Sequence, residues 1–437
     1  MWSVVRVLAV CTAVGLALGA LYVALLALTL TTTSDERIIA GLRQAVETGA
    51  LEEKSYPRSH YGHRTHRYDM FTECIALGMN LRNPEPSVLR RIAASTTAAP
   101  EHGAGPCETL TASVRTGATV ASQDYMRFWH GYQVYMRPLL QALPLAELVK
   151  VTAILFLMTM IFFAWRLSLL FGPWAWPLGL IPFFAISDFL TVPMVVTHAL
   201  SLICAFLPAA FVPIVLQRWP NARALVLPVL VFTAGSIYNF FSFLLNPPLA
   251  PALIAFFYVA ANLSHDEKDL RQTALYAAGL AAVWFCGFAS AWVLKWAYAA
   301  LVLGPDVVLA ELHSAVERYE GARERLQVHL LSATRRNAYA DPALLAFILG
   351  GCAVAAASLL LLVRKFGDWR IHCSQLAALM TPLTWIVLWV EANRAHSALH
   401  VGFVSRSFLL FGIVPLLASI KLWRQASMLP GASAAGA

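Results

Sequence analysis

From Val4 to Leu30 the only charged residue is Arg6. A bilayer core is crossed by a helix of about 20 apolar residues, and a run this long has few other places to go. It exceeds the apolar part of a cleaved signal and ends without a small-x-small site, so it reads as a retained first helix or signal anchor. Nine more runs follow, near Val151–Phe171, Trp174–Ser187, Val192–Leu216, Ala224–Leu245, Leu249–Leu263, Thr273–Leu301, Pro342–Val363, Cys373–Val390 and Ser407–Leu422. Together they predict an all-α polytopic membrane protein with about ten transmembrane helices. Composition agrees: 13% of residues are charged, against roughly 25% in a soluble domain. The boundary at Gly172-Pro173 is the weakest. Trp174–Ser187 is short for a span and holds Pro177 and Pro182.

The net charge of +8 follows from sidedness and does not call for nucleic acid. With the N-terminus inside, the short inner loops carry Arg166, Arg218, Arg223, Lys268, Arg271, Arg364, Lys365, Arg370, Lys421 and Arg424. The short outer loops Asp188–Thr191 and Asn246–Pro248 carry no Lys or Arg, as the positive-inside rule requires. Both termini are then cytoplasmic. The chain divides into a first helix (1–30), a large extracytoplasmic loop (31–150), a transmembrane core (151–301), an outer amphipathic lid (302–341), C-terminal helices (342–424, with an outer loop at 391–406) and a cytoplasmic tail (425–437). Of seven cysteines, only Cys74 and Cys107 fall in the outer loop. An oxidising compartment favours their pairing; the alternative is two buried thiols.

The outer loop has its own patterning. Ser34 is a natural N-cap for a helix whose apolar face is Ile38, Ile39, Leu42 and Val46, expected to lie along the membrane surface. Met70–Leu81 is a second helix-like apolar patch, and Ala93–Ala104 reads as a loose loop. Tyr125–Leu143 is dense in aromatics that suit the headgroup level. The spans hold few charges; Arg166 and Lys295 lie near ends, and His198 is the main buried ionisable candidate. A carrier usually places charges at mid-membrane, so this distribution favours chemistry at the outer interface.

Asp35 and Glu36 open the first of these helices. They are either favourable acids in a first turn or working carboxylates, and Asp188 in the next outer loop is either a helix cap or a third such group. An acidic pair directly after the first span, opening an amphipathic helix in "SDERIIAGLRQAVETG", resembles the GT-C superfamily of integral-membrane glycosyltransferases. That resemblance implies a polyprenyl-phosphate sugar as donor and a glycan, lipid or protein hydroxyl as acceptor. It implies Asp35 as base or metal partner, with Glu36 and Asp188 as the other acids, and a divalent ion (Mg or Mn) as the one cofactor to expect. The location it implies is a bacterial inner membrane, with the active face extracytoplasmic. A polytopic transporter or lipid-linked sugar flippase is the alternative.

Other residues suit the same chemistry. Asp69 opens the Met70–Leu81 segment and is a further candidate carboxylate. In "EANRAHSALHVGFVSR", Arg394, His396, His400 and Arg406 form a candidate phosphate clamp, or else an ordinary solvated loop. His66, Trp129, His130, Tyr132, Arg137 and Asn239 are candidate substrate-lining groups, against the plainer readings of polar surface, interfacial anchor and helix cap. His396 and His400 could share a metal, but the sequence names no third ligand for them, and a metal at His60, His63 and His66 is the lesser reading because Gly62 argues against the helix their spacing needs.

Overall fold

The computed structural model describes residues 2–61, 64–67, 69–81, 87–99, 104–117, 122–219, 224–242, 245–326 and 329–427. Helix α1 (Trp2–Thr32) leads into a cap of short elements. These are α2 (Asp35–Glu47), the ribbon β1 (Arg58–Tyr61) with β2 (Arg64–Arg67), α3 (Met70–Gly78), α4 (Val88–Ala94), β3 (Thr97–Ala98), α5 (Pro106–Thr116), β4 (Ser122–Gln123) and α6 (Tyr132–Ala142). The bundle follows with α7 (Leu145–Phe171), α8 (Ala175–Ile186), α9 (Val196–Arg218), α10 (Val226–Phe241), α11 (Leu249–Ala261) and α12 (Glu267–Leu303). Helices α13 (Pro305–Leu326) and α14 (Ser332–Ala338) precede α15 (Pro342–Phe366), α16 (Trp369–Met380), α17 (Thr384–Ala392), α18 (Arg394–Leu399), α19 (Val401–Phe408) and α20 (Leu410–Ser427).

The protein is an all-α, multi-pass membrane protein. Among the described residues, seven helical stretches are long and apolar enough to cross a bilayer, with Trp369–Ala392 and Val401–Ser427 each built from consecutive helices. The three other expected spans are the shorter apolar helices α8, α10 and α11. At 12, 16 and 13 residues each falls below the about 20 that a straight crossing needs. The small ribbons β1–β2 and β3–β4 are both antiparallel and confined to the cap. Within the Ala93–Ala104 stretch, α4 continues to Ala94 and Thr97–Ala98 pairs in β3.

Helix association in a bilayer rests on close backbone approach through small residues. Here α10 and α12 meet at Gly235 and Gly287. A Cβ on Gly287 would stand 2.0 Å from Phe232 O, and one on Gly235 would stand 2.1 Å from Trp284 O. The end of the bundle away from the cap is basic. Lys421 donates to Leu170 O (3.2 Å), and Lys365 lies over Phe366 and Trp423.

The cap packs around a second hydrophobic core, which it shares with the first turns of α7 and α9. Ile38 and Leu42 are wholly buried, beside Cys74, Leu77, Leu110 and Met136. The apolar face of α2 is therefore covered by the cap itself rather than lying along lipid. Ser34 caps α2, its Oγ accepting from the Arg37 N–H (3.3 Å). A disulfide joins Cys74 on α3 to Cys107 on α5, with Cα atoms 5.0 Å apart.

Candidate functional site

Two ionic nodes are present, one within the cap and one where the cap meets the bundle. The first is built around Asp35. Arg137, on α6, donates through Nη2 to Oδ1 (2.5 Å). Arg91, on α4, reaches Oδ1 (3.1 Å) and Oδ2 (3.0 Å) through its own Nη2. Arg137 Nε also donates to Thr33 Oγ1 (2.9 Å), and its side chain has no exposure. Burial pushes the Arg137 guanidinium down and Asp35 pulls it back. Both Asp35 oxygens are thus occupied by guanidinium N–H groups, in an arrangement that ties the α1–α2 junction to α4 and α6. Glu36 is exposed and accepts from the Ser34 hydroxyl (2.8 Å).

The second node joins residues from three distant stretches. Asp69 caps α3: Oδ1 accepts the Thr72 N–H (3.2 Å) and Oδ2 accepts the Thr72 hydroxyl (2.5 Å). His198, in the first turn of α9, places Nε2 3.1 Å from Asp69 Oδ2. Arg406 on α19 places Nη1 3.5 Å from His198 Nδ1. Because a carboxylate accepts and a guanidinium donates, His198 carries its proton on Nε2 and presents a lone pair at Nδ1. Asp69, His198 and Arg406 are each at most 4% exposed. Burial pushes the Asp69 carboxyl up, but His198 and the Thr72 contacts outweigh it and hold it below its ordinary range.

An aromatic bracket completes this node. Phe403 meets His198 edge-on (centroids 5.1 Å apart) and stacks on His400 (5.7 Å), which in turn lies 4.6 Å from His396. Burial pushes His400 down against the pull of Asp69. Next to Arg406, the Ser407 hydroxyl donates to Asn246 Oδ1. One turn along α3 from Asp69, Glu73 Oε2 accepts the Thr197 N–H (3.0 Å) and hydroxyl (2.9 Å). This is carboxylate placement at a helix N-terminus, yet burial pushes the Glu73 carboxyl up to about 7.

The remaining candidates separate from these nodes. Arg394 is turned to Glu391, donating to its carbonyl (3.0 Å). Glu391 also accepts from the Leu331 and Thr334 N–H groups, which pins the start of α14. The aromatic segment is interior rather than interfacial. Trp129, His130 and Tyr132 are each 1% exposed. Trp129 Nε1 donates to Ala291 O (2.6 Å). His130 Nε2 donates to Tyr125 O (2.7 Å), and its Nδ1 lies 2.8 Å from the Tyr132 hydroxyl. Burial and the nearby Lys295 push His130 down to about 3, so it is a neutral structural imidazole. Lys295 itself donates to Ile92 O, Ala93 O and Ser95 Oγ, closing the C-terminus of α4. Asn239 is buried, and neither amide atom has a partner among the described residues. His66 sits in β2 opposite Ser59, and Asp188 opens a 3-10 turn over Asp188–Leu190; the side chains of both, with those of His60 and His63, lie outside the described residues.

Among the described residues, no three His, Cys, Asp or Glu side chains converge to hold an ion. At Asp69 the donor set is one carboxylate whose oxygens are already engaged, one imidazole and a repelling guanidinium. That set does not suit a divalent cation. Searches against protein-family profiles, curated proteins and solved structures found no match to this chain.

Proposed function

We propose that this protein is a membrane glycosyltransferase that moves a sugar from a polyprenyl-phosphate donor to an acceptor hydroxyl on the extracytoplasmic face of a bacterial inner membrane. The observation that carries the reading is the buried Asp69–His198–Arg406 chain at the cap end of the bundle. Ionisable groups buried in a membrane protein are costly and default to functional roles. The basic far end, with Lys365, Lys421 and Arg424 near one another, supports the placement of the cap outside.

The 3.5 Å contact between Arg406 and His198 is at the limit of a hydrogen bond. A phosphate oxygen is the stronger partner for a guanidinium. When Arg406 turns to the donor phosphate, beside His400 and His396, the Nδ1 lone pair of His198 is released. His198 then takes the acceptor hydroxyl proton, while Asp69 holds the tautomer and stabilises the imidazolium, the division of labour of an Asp–His pair. The acceptor oxygen bonds to the anomeric carbon, the carbon–phosphate-oxygen bond breaks, and the polyprenyl phosphate leaves with its charge against Arg406.

The test is transfer of a radiolabelled sugar from polyprenyl-phosphate sugars by purified protein in liposomes. His198→Gln and Arg406→Met are expected to lose about 100-fold or more with normal insertion. Absence of transfer by the unaltered protein from every polyprenyl-phosphate sugar supplied, or unchanged transfer in both variants, overturns the reading.

A further inference from the structure

Helix α12 brings its C-terminal half to the cap, where Trp292 Nε1 donates to Arg127 O (2.6 Å) and the Tyr298 hydroxyl to Leu89 O (3.0 Å). Helix α15, long and apolar enough to cross a bilayer, starts at Pro342. Helix α14, between them in the chain, therefore sits at the cap end of the bundle, where α15 enters the apolar layer. One face of α14 is closed. Ala333 and Asn337 have no exposure, and Asn337 Nδ2 donates to Ser397 O (3.1 Å), which fixes α14 to α18. Leu331, Arg335 and Tyr339 follow one another at helical spacing on the opposite side. Leu330, Leu331 and Tyr339 are 71%, 56% and 63% exposed, and Arg335 and Arg336 are exposed beside them. Leu331 has a φ of 63°, a left-handed conformation that disfavours any residue with a Cβ. Its N–H is held there by Glu391 Oε2 (2.9 Å), so the turn holds a leucine outward where glycine is the easier residue.

We propose that this face of α14 lies in the headgroup layer on the cap side of the membrane and selects anionic phospholipids. Leu330 and Leu331 reach the first acyl carbons, Tyr339 sits at the interface as tyrosines do, and Arg335 and Arg336 meet the phosphates. The arginine stems lie along lipid while their heads stay among the headgroups. The charge balance favours an anionic headgroup, because the two carboxylates flanking α14 are engaged by protein groups. Glu391 accepts from the Leu331 and Thr334 N–H groups and from the Thr334 hydroxyl (2.5 Å), and Arg394 Nε stands 3.7 Å from it. Asp341 Oδ1 accepts the Ala343 N–H (2.7 Å) at the start of α15. A choline headgroup brings its own cation to the arginines, whereas a glycerol headgroup brings none. The neighbouring span anchors the chain, so α14 contributes lipid choice rather than insertion. The contact is independent of sugar transfer.

The test replaces Leu330 by photoreactive benzoylphenylalanine in the full-length protein, held in nanodiscs of equimolar phosphatidylglycerol and phosphatidylcholine with identical chains. After illumination, lipid adducts are identified by peptide mass spectrometry. Phosphatidylglycerol adducts are expected to exceed phosphatidylcholine adducts about fivefold at low salt, and the excess is expected to shrink as salt is raised. Arg335→Gln combined with Arg336→Gln is expected to bring the two adducts to parity, while Arg335→Lys combined with Arg336→Lys keeps most of the excess. All four changes are at exposed positions, and each protein is first shown to be monodisperse. The same photoreactive group in place of Leu349, exposed farther along α15, is expected to take both lipids evenly. Parity at Leu330 in the unaltered arginine background, or an excess unmoved by the glutamine pair, overturns the anionic selection. An equal excess at Leu349 overturns its assignment to α14. Absence of lipid adducts at Leu330 while Leu349 is labelled, or cross-links to a second protein chain, overturns the membrane contact.

Discussion

Replacing Asp35 by Asn separates a structural acid from a chemical one. In the folded cap Asp35 faces Arg137, which has no exposure, and Arg91, which like Asp35 is 15% exposed. Removing the charge leaves the Arg137 guanidinium buried, with the Thr33 hydroxyl still accepting from Nε. Breaking one side of a buried pair costs about 3–5 kcal/mol, whereas the half-open Arg91 contact is worth about 0.2–1 kcal/mol. Asn retains a carbonyl acceptor, so the low end applies, about 3 kcal/mol. Arg137→Met breaks the same pair but leaves Asp35 its contact with Arg91, for about 2 kcal/mol. The double variant no longer buries an uncompensated charge, so its loss falls short of the sum by at least about 1.5 kcal/mol. The assay is unfolding of the purified protein by denaturant in mixed micelles, followed by tryptophan fluorescence. Additive losses, or an unchanged midpoint in Asp35→Asn, refute the structural assignment. Lost sugar transfer in an Asp35→Asn protein of unchanged stability returns this acid to the chemistry.

Three further outcomes follow from other parts of the fold. Removing the disulfide with Cys74→Ser and Cys107→Ser opens a 33-residue separation and is expected to cost the cap about 2–4 kcal/mol, read as earlier proteolysis of residues 31–150 with the bundle intact. Glu73 ionises near 4.5 when unfolded and at about 7 when folded, so the folded chain keeps this proton where the unfolded chain has lost it. Its contribution therefore declines as pH rises from about 4.5 to about 7, by up to about 3 kcal/mol, and levels off above; Glu73→Gln is expected to flatten that slope in pH-dependent unfolding. Gly287→Val sets side-chain atoms against Phe232 O, where even a Cβ would stand at 2.0 Å. It is expected to separate α10 from α12 and abolish monodisperse behaviour in size-exclusion chromatography, while Gly279→Val, with nothing near its Cβ, leaves it unchanged.

Sequence reading reached the membrane class, the long helices and the Ser34 cap because each depends on local pattern. Apolar run length selects the bilayer, and a cap is decided within one turn. The interior position of Trp129, His130 and Tyr132 was hidden because an aromatic cluster reads alike at an interface and in a core. The short α10 and α11 were extended in expectation, since hydropathy marks an apolar stretch without marking where the helix stops. His198 stood out as a buried ionisable group, yet its partners were not legible. Glu73 carried a weak signal: it lies four residues after Asp69, on the same side of a helix.

The two nodes mark the division between what the chain dictates locally and what only packing decides. Sequence alone determined that Asp35 opens a helix, that Asp69 opens another apolar segment, and that the segment around Arg406 is polar. Tertiary structure determined that Arg91 and Arg137, 56 and 102 residues away from Asp35, close over its carboxylate. It likewise brought Asp69 to His198 across 129 residues, and His198 to Arg406 across 208. Helix formation is set by neighbours within a turn or two, whereas the partner of a buried charge is set by which distant helices pack side by side.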